Sequence, residues 1–157
     1  MHPPDAHGWR SAWQRVLAHL PSQCAICHAW PAQRVCDACA ARFAQPRPRC
    51  TGCALPLPAP GLRCGACLQA PLALQACVAA VDYAWPWDGI LAQFKFHADP
   101  GWAAMLAGLM ASTPWAGPLL DAADVLVPVP LSRERLRARG FNQSLLLARQ
   151  LGARKTD

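Results

Sequence analysis

A chain of 157 residues with 54% apolar and 15% charged residues has enough apolar material to fold and excludes wholesale disorder; it suffices for one ordinary domain or two small ones. Sixteen prolines and ten glycines, many of them in the first hundred residues, point to a front half of loops and turns that needs a source of stability other than an apolar core. The formal charge of +6 is an upper figure, because it counts every cysteine as neutral.

The first twenty residues carry Asp5, His2 and His7 and a broken apolar pattern, which does not read as a secretory signal. No run approaches the roughly 18 apolar residues of a membrane span. The expected address is the cytoplasm, where thiols stay reduced and paired cysteines read as metal ligands before disulfides.

In chain order, Trp9, Trp13, Val16, Leu17 and Leu20 form one apolar stripe that Pro21 ends, predicting an N-terminal amphipathic helix within 1–22 that docks on its own domain. The stretch 23–76 has no sustained period and is broken by Pro46, Pro48, Pro56, Pro58 and Pro60. It holds four Cys-x-x-Cys pairs: Cys24 and Cys27, Cys36 and Cys39, Cys50 and Cys53, Cys64 and Cys67. With nine cysteines in the chain, a Cys three residues after a given Cys should occur about one time in twenty by chance, so four such pairs form a pattern.

A tetrahedral zinc takes four soft ligands at about 2.3 Å, and each Cys-x-x-Cys turn supplies two. Sequential pairing gives one site at Cys24, Cys27, Cys36 and Cys39 and another at Cys50, Cys53, Cys64 and Cys67; short loops favour it, while cross-bracing of first with third pair uses the same ligands. The reading is a double zinc ribbon with two structural Zn²⁺, closed to substrate. Metal binding would remove about four charges and leave about +2, so bulk charge alone does not argue for nucleic acid. His28 follows a ligand in a site already filled by four Cys, and Cys77 reads as a core residue.

From Cys77 the character changes. Residues 77–83 predict a strand, Trp87 to His97 an amphipathic helix through Ile90, Leu91 and Phe94, and Trp102 to Met110 a second helix begun by Pro100-Gly101. Residues 124–130 read as a short buried strand ended by prolines, followed by a polar loop and a helix from about Asn142 to Leu151. Strand, helices, strand and helix suggest the opening of an α/β domain. The loop carries Arg133, Arg135, Arg137 and Arg139, then Gly140, and Asn142 and Gln143 open the next helix. Helix N–H groups and guanidiniums together predict an anion site. Trp85 and Trp87 read as core, with exposed interface anchors as the alternative.

The double Cys-x-x-Cys module, Phe94-Lys95-Phe96, and V-P-V-P-L-S-R-E-R-L-R-A-R-G-F-N-Q followed by Leu145-Leu146-Leu147-Ala148 closely resemble the ComF (competence protein F, GntX-like) family from about Cys24 to Leu151. The resemblance implies a small metal-stabilised double zinc ribbon (23–76) followed by the N-terminal part of an α/β type I phosphoribosyltransferase-like domain (77–157), incomplete. It implies an accessory role in the uptake or use of external single-stranded DNA, with a competence helicase or other DNA-uptake proteins as partners. It also implies a pyrophosphate-facing loop at Arg133, Arg139, Gly140, Asn142 and Gln143, with Lys95 a further candidate. The family's later acidic Thr-Thr-Gly motif, which binds the ribose 5-phosphate, is not in these residues. The chain therefore reads as a truncated member in which phosphoribosyl transfer is not expected, as the anion loop would hold one end of a substrate whose other end has no cradle. Two other readings stand beside the DNA-uptake one: a phosphoribosyltransferase-type enzyme in full-length form, and a zinc-ribbon module that binds another protein.

Overall fold

A computed structural model of the protein describes residues 22–61 and 63–153. The helix expected through Trp9 and Trp13 lies outside them. The backbone divides into two compact units, Met1–Cys36 and Asp37–Asp157.

The described part of the first unit is a loop clasped on itself. Ser22 and Ala32 form an antiparallel bridge through reciprocal N–H to carbonyl bonds of 2.7 and 2.8 Å, and the Ala25 N–H donates to the Arg34 carbonyl at 2.9 Å. Val35 is the buried aliphatic residue of this loop.

The second unit holds seven helices among the described residues: α1 (Asp37–Phe43), α2 (Gly65–Gln69), α3 (Trp87–Phe96), α4 (Trp102–Ala111), α5 (Ala116–Ala122), α6 (Arg133–Arg139) and α7 (Gln143–Ala153). In α3 the buried residues Trp87, Ile90 and Phe94 recur at i, i+3 and i+7, the stripe that the sequence displays. In α4, Trp102, Ala103, Leu106 and Ala107 are buried, and the two alanines keep that face low enough for α7 to pack along it. Leu151 of α7 is buried as well. The Trp87 indole Nε1–H donates to the Phe43 carbonyl at 2.9 Å, fastening the end of α1 to the start of α3. No single helix among the described residues is long and apolar enough to cross a membrane.

Two expectations are corrected. Neither 77–83 nor 124–130 forms a strand; the β pairings among the described residues are two isolated bridges, Ser22 with Ala32 and Arg49 with Pro56. A strand needs a neighbour to complete its N–H and C=O ladder, and valine propensity supplies none. Residues 124–130 instead run unpaired, with Val125, Val127 and Val129 exposed at 71%, 82% and 70%. The α/β layering expected after residue 77 is therefore not present in the described residues, which are helical and irregular. The second correction concerns the polar loop, whose residues 133–139 wind into α6. Ser132 caps its start by accepting from the Arg135 N–H, and Gly140, at φ 77°, ends it in the left-handed conformation that glycine adopts without strain.

Candidate metal centres and cationic helix

The eight cysteines gather sequentially. The Sγ atoms of Cys24, Cys27, Cys36 and Cys39 lie within 4.8 Å of one another, and so do those of Cys50, Cys53, Cys64 and Cys67. Cys27 and Cys36 sulfurs are 3.7 Å apart, and Cys53 and Cys64 sulfurs 3.6 Å. A tetrahedron with metal–sulfur bonds of about 2.3 Å has edges of about 3.8 Å, so these separations fit a single ion in each tetrad.

Both tetrads follow one local pattern. The first Cys-x-x-Cys pair sits in a tight turn: His28 N–H returns to the Cys24 carbonyl at 2.9 Å, and Ala54 N–H to the Cys50 carbonyl at 2.8 Å. The residue after each turn is left-handed, with φ 61° at both His28 and Ala54. The second pair opens a short helix, which places Cys39 in α1 and Cys67 in α2. Across each loop a backbone N–H meets the first sulfur, Cys36 N–H to Cys24 Sγ at 3.4 Å and Cys64 N–H to Cys50 Sγ at 3.3 Å. Such donors stabilise thiolates, the form a metal binds. The tetrads are ribbon-like in ligand pattern, but with helical second knuckles in place of paired strands.

The second tetrad is the tighter one. Cys50, Cys64 and Cys67 are buried, and Leu57 packs against them. At Gly52 a Cβ would lie 3.1 Å from the Cys67 sulfur, a close contact that glycine avoids, whereas Ile26 occupies the matching position of the first turn.

The electrostatics within the tetrads are asymmetric. The Cys64 N–H leads the causes that bring the Cys50 thiol down from 9.0 to about 6. At Cys24 burial acts upward, but N–H donors from Cys27 and Cys36 outweigh it and again give about 6. Cys67 is pushed up to about 12, chiefly by its side-chain bond with Cys53. One thiolate per tetrad is thus poised at neutral pH. Because these two values are depressed, the thiolate's contribution is present above the ordinary value and is lost as the pH falls through about 6. Below that point each tetrad must release one more proton on metal uptake. The affinity of metal-free protein for Co²⁺, read from its visible absorption, should then fall by an extra factor of about ten per pH unit. A pH slope unchanged through 6 contradicts the assignment.

The arginine-rich segment is only partly convergent. At about 100° per residue, Arg133 and Arg137 share one face of α6, while Arg135 and Arg139 share another. Arg133, Arg135 and Arg137 are exposed. Arg139 lies with its guanidinium 4.9 Å from the Phe96 ring centroid and donates to the Gln143 Oε1 at 3.2 Å. Gln143 is buried and donates to the Lys95 carbonyl at 3.4 Å. Asn142 caps α7 by accepting from the Leu145 N–H and ties it to the Val129 carbonyl at 3.2 Å. Phe141 packs on Phe94, ring centroids 5.8 Å apart. Of the predicted anion residues, Arg139, Asn142 and Gln143 therefore brace α6 and α7, and Lys95 is joined to them through its backbone.

Sequence reasoning missed a second set. Asp82 receives Arg49 at 2.7 Å and Arg47 at 3.2 Å, and Arg49 also donates to the Ala54 carbonyl, so the turn of the second tetrad is bonded to the segment ahead of α3. Cys77, expected in a strand core, is half-buried, and its N–H donates to the Thr51 carbonyl at 2.9 Å. Bonds between residues so far apart in the chain leave no local signal. Trp87 is core as expected, but Trp85 is 68% exposed.

The arrangement defines a chain with two Cys₄ groups able to hold metal ions, followed by a helical segment with a cationic helix. It is similar to the DNA utilization protein YhgH of Salmonella typhi, 37% identical over 141 residues that cover 84% of this chain and 61% of that protein. The namesake protein of Salmonella typhimurium is 36% identical over 138 residues, with the same coverage. That of Escherichia coli K12 is 34% identical over 122 residues, covering 74% of this chain and 53% of that protein. The chain thus spans between about half and six-tenths of the length of the curated relatives it matches. No protein-family model matches it, and no solved structure does.

Proposed function

We propose that the chain acts in DNA utilization as a ComF-type accessory protein, with two structural zinc ions and a cationic surface that takes the phosphates of single-stranded DNA. The similarity over 84% of the chain to proteins named for DNA utilization carries this reading. The donor chemistry supports zinc: four thiols per group suit a soft tetrahedral ion, and with all four positions filled by protein the role is architectural. On this reading 23–76 are the metal module and 77–157 the first portion of a phosphoribosyltransferase-like domain. Assembly with a competence helicase in the cytoplasm belongs to the same proposal.

Arg133 and Arg137 are exposed cations on one face of α6 and the residues on which the proposal is tested. On a single strand, each phosphate that the protein ceases to neutralise should reduce the slope of log affinity against log salt by about 0.7, so Arg133→Gln with Arg137→Gln should reduce it by about 1.4. The melting temperature stays unchanged, because both side chains are exposed. Fluorescence anisotropy of a labelled oligonucleotide across a salt series reads this out. Absence of binding by the unaltered chain, or an unaltered slope in the double variant, defeats the proposal.

A further inference from the structure

Large aromatic side chains in the second unit lie at the surface beside cations. Tyr83 is 70% exposed, Trp85 68% and Phe96 62%. The Lys95 ammonium lies 5.8 Å from the Tyr83 ring centroid, and the Arg139 guanidinium 4.9 Å from that of Phe96. Trp85 meets Phe43 edge-on at 4.9 Å, and Arg42 stands 5.3 Å from the Phe43 ring. These neighbours form chemically alike pairs, each an aromatic group with a cation at or next to it. The acid nearest in sequence, Asp82, is already held by Arg47 and Arg49.

We infer that Tyr83, Trp85 and Phe96, with Arg42, Lys95 and Arg139, form a stacking platform for the bases of a single-stranded nucleic acid. The Lys95 and Arg139 cations each stand over one face of their ring, so a base of any kind stacks on the opposite face, and the cation is placed to meet a neighbouring phosphate. Exposed apolar area without charge would suit a protein partner. Here Arg42, Lys95 and Arg139 lie against the rings of Phe43, Tyr83 and Phe96, and such cations complement a phosphodiester backbone. A duplex hides its base faces, so the platform selects unpaired strands. The inference rests on the DNA reading above and adds the residues that distinguish bases from bare phosphate.

The test uses the full chain and two labelled probes of about twenty units, an oligothymidine and an abasic oligomer with the same phosphates. The unaltered chain should bind the thymidine strand at least about a hundredfold more tightly. Tyr83→Ala and Phe96→Ala should each weaken that binding roughly five- to a hundredfold and leave the abasic affinity in place. Tyr83→Phe and Phe96→Tyr, which keep the rings, should retain it. Equal affinity of the unaltered chain for both probes, ring variants that bind as the parent does, or equal weakening on both probes overturn the platform while leaving phosphate binding intact. An unaltered chain that binds neither probe removes the DNA reading as well.

Discussion

Cys50→Ser should lower the zinc content from two ions per chain to one and loosen the backbone well beyond its own turn. Cys50 is fully buried, its sulfur accepts the Cys64 N–H, and the thiol is already brought down to about 6. Serine replaces a soft thiolate with a hydroxyl that stays protonated, so the tetrad keeps three competent ligands. A structural zinc contributes on the order of 10 kcal/mol of apparent binding free energy, comparable to the whole stability of a small domain. The loss spreads along identified bonds: Thr51 accepts from Cys77, and Arg49 reaches both Ala54 and Asp82. Amides from about 50 to 83 should therefore exchange faster with solvent, while the first tetrad keeps its ion. Atomic absorption and hydrogen exchange measure the two effects. Retention of two zinc ions per chain would falsify the ligand assignment.

What the sequence made legible depended on whether the signal was local. The tetrads were readable because Cys-x-x-Cys is a short-range pattern, and sequential gathering follows from short loops. Helices α3, α4 and α7 lie close to the expected spans because their apolar residues keep a 3.6-residue period, and Asn142 supplies a recognisable cap. Helix α6 escaped because Leu136 is the lone large apolar residue among its arginines. Ser132 at one end and Gly140 at the other were the available signals, an N-cap and a left-handed stop. The short α1 and α2 grow from the second cysteine pair of each tetrad and carry no period of their own.

The strands failed for a different reason. Val125, Val127 and Val129 alternate as a strand should, but alternation describes a surface waiting for a neighbour, and none is paired with it in the described residues. The tryptophans divided similarly. Trp87 is on the buried stripe of α3 and has a partner for its indole N–H, whereas Trp85, two residues earlier, precedes the helix and meets Phe43 by an edge. Composition gave both the same expectation; only helix phase separates them.

The arginine motif was read as an anion site, and its geometry divides it into two kinds of residue. Arg133 and Arg137 point to solvent, while Arg139 and Gln143 are fixed by Phe96 and the Lys95 carbonyl. That bracing depends on Phe94, which is 1% exposed and stacks beside Phe141. Phe94→Ala should cost about 3–5 kcal/mol, since a buried ring is removed between elements that cannot fully collapse. For a unit of this size the midpoint of thermal unfolding should fall by about 10–20 °C. Phe94→Leu, which keeps most of the volume, should cost a fraction of that. Circular dichroism at the helical minimum follows both variants. Metal content of zinc-loaded protein should match that of the parent, because none of the eight candidate ligands lies in α3. A melt within a degree or two of the parent would mean that α3 does not anchor the Arg139–Gln143 segment. A large fall with the metals retained would separate the helical core from the cysteine centres as independent sources of stability.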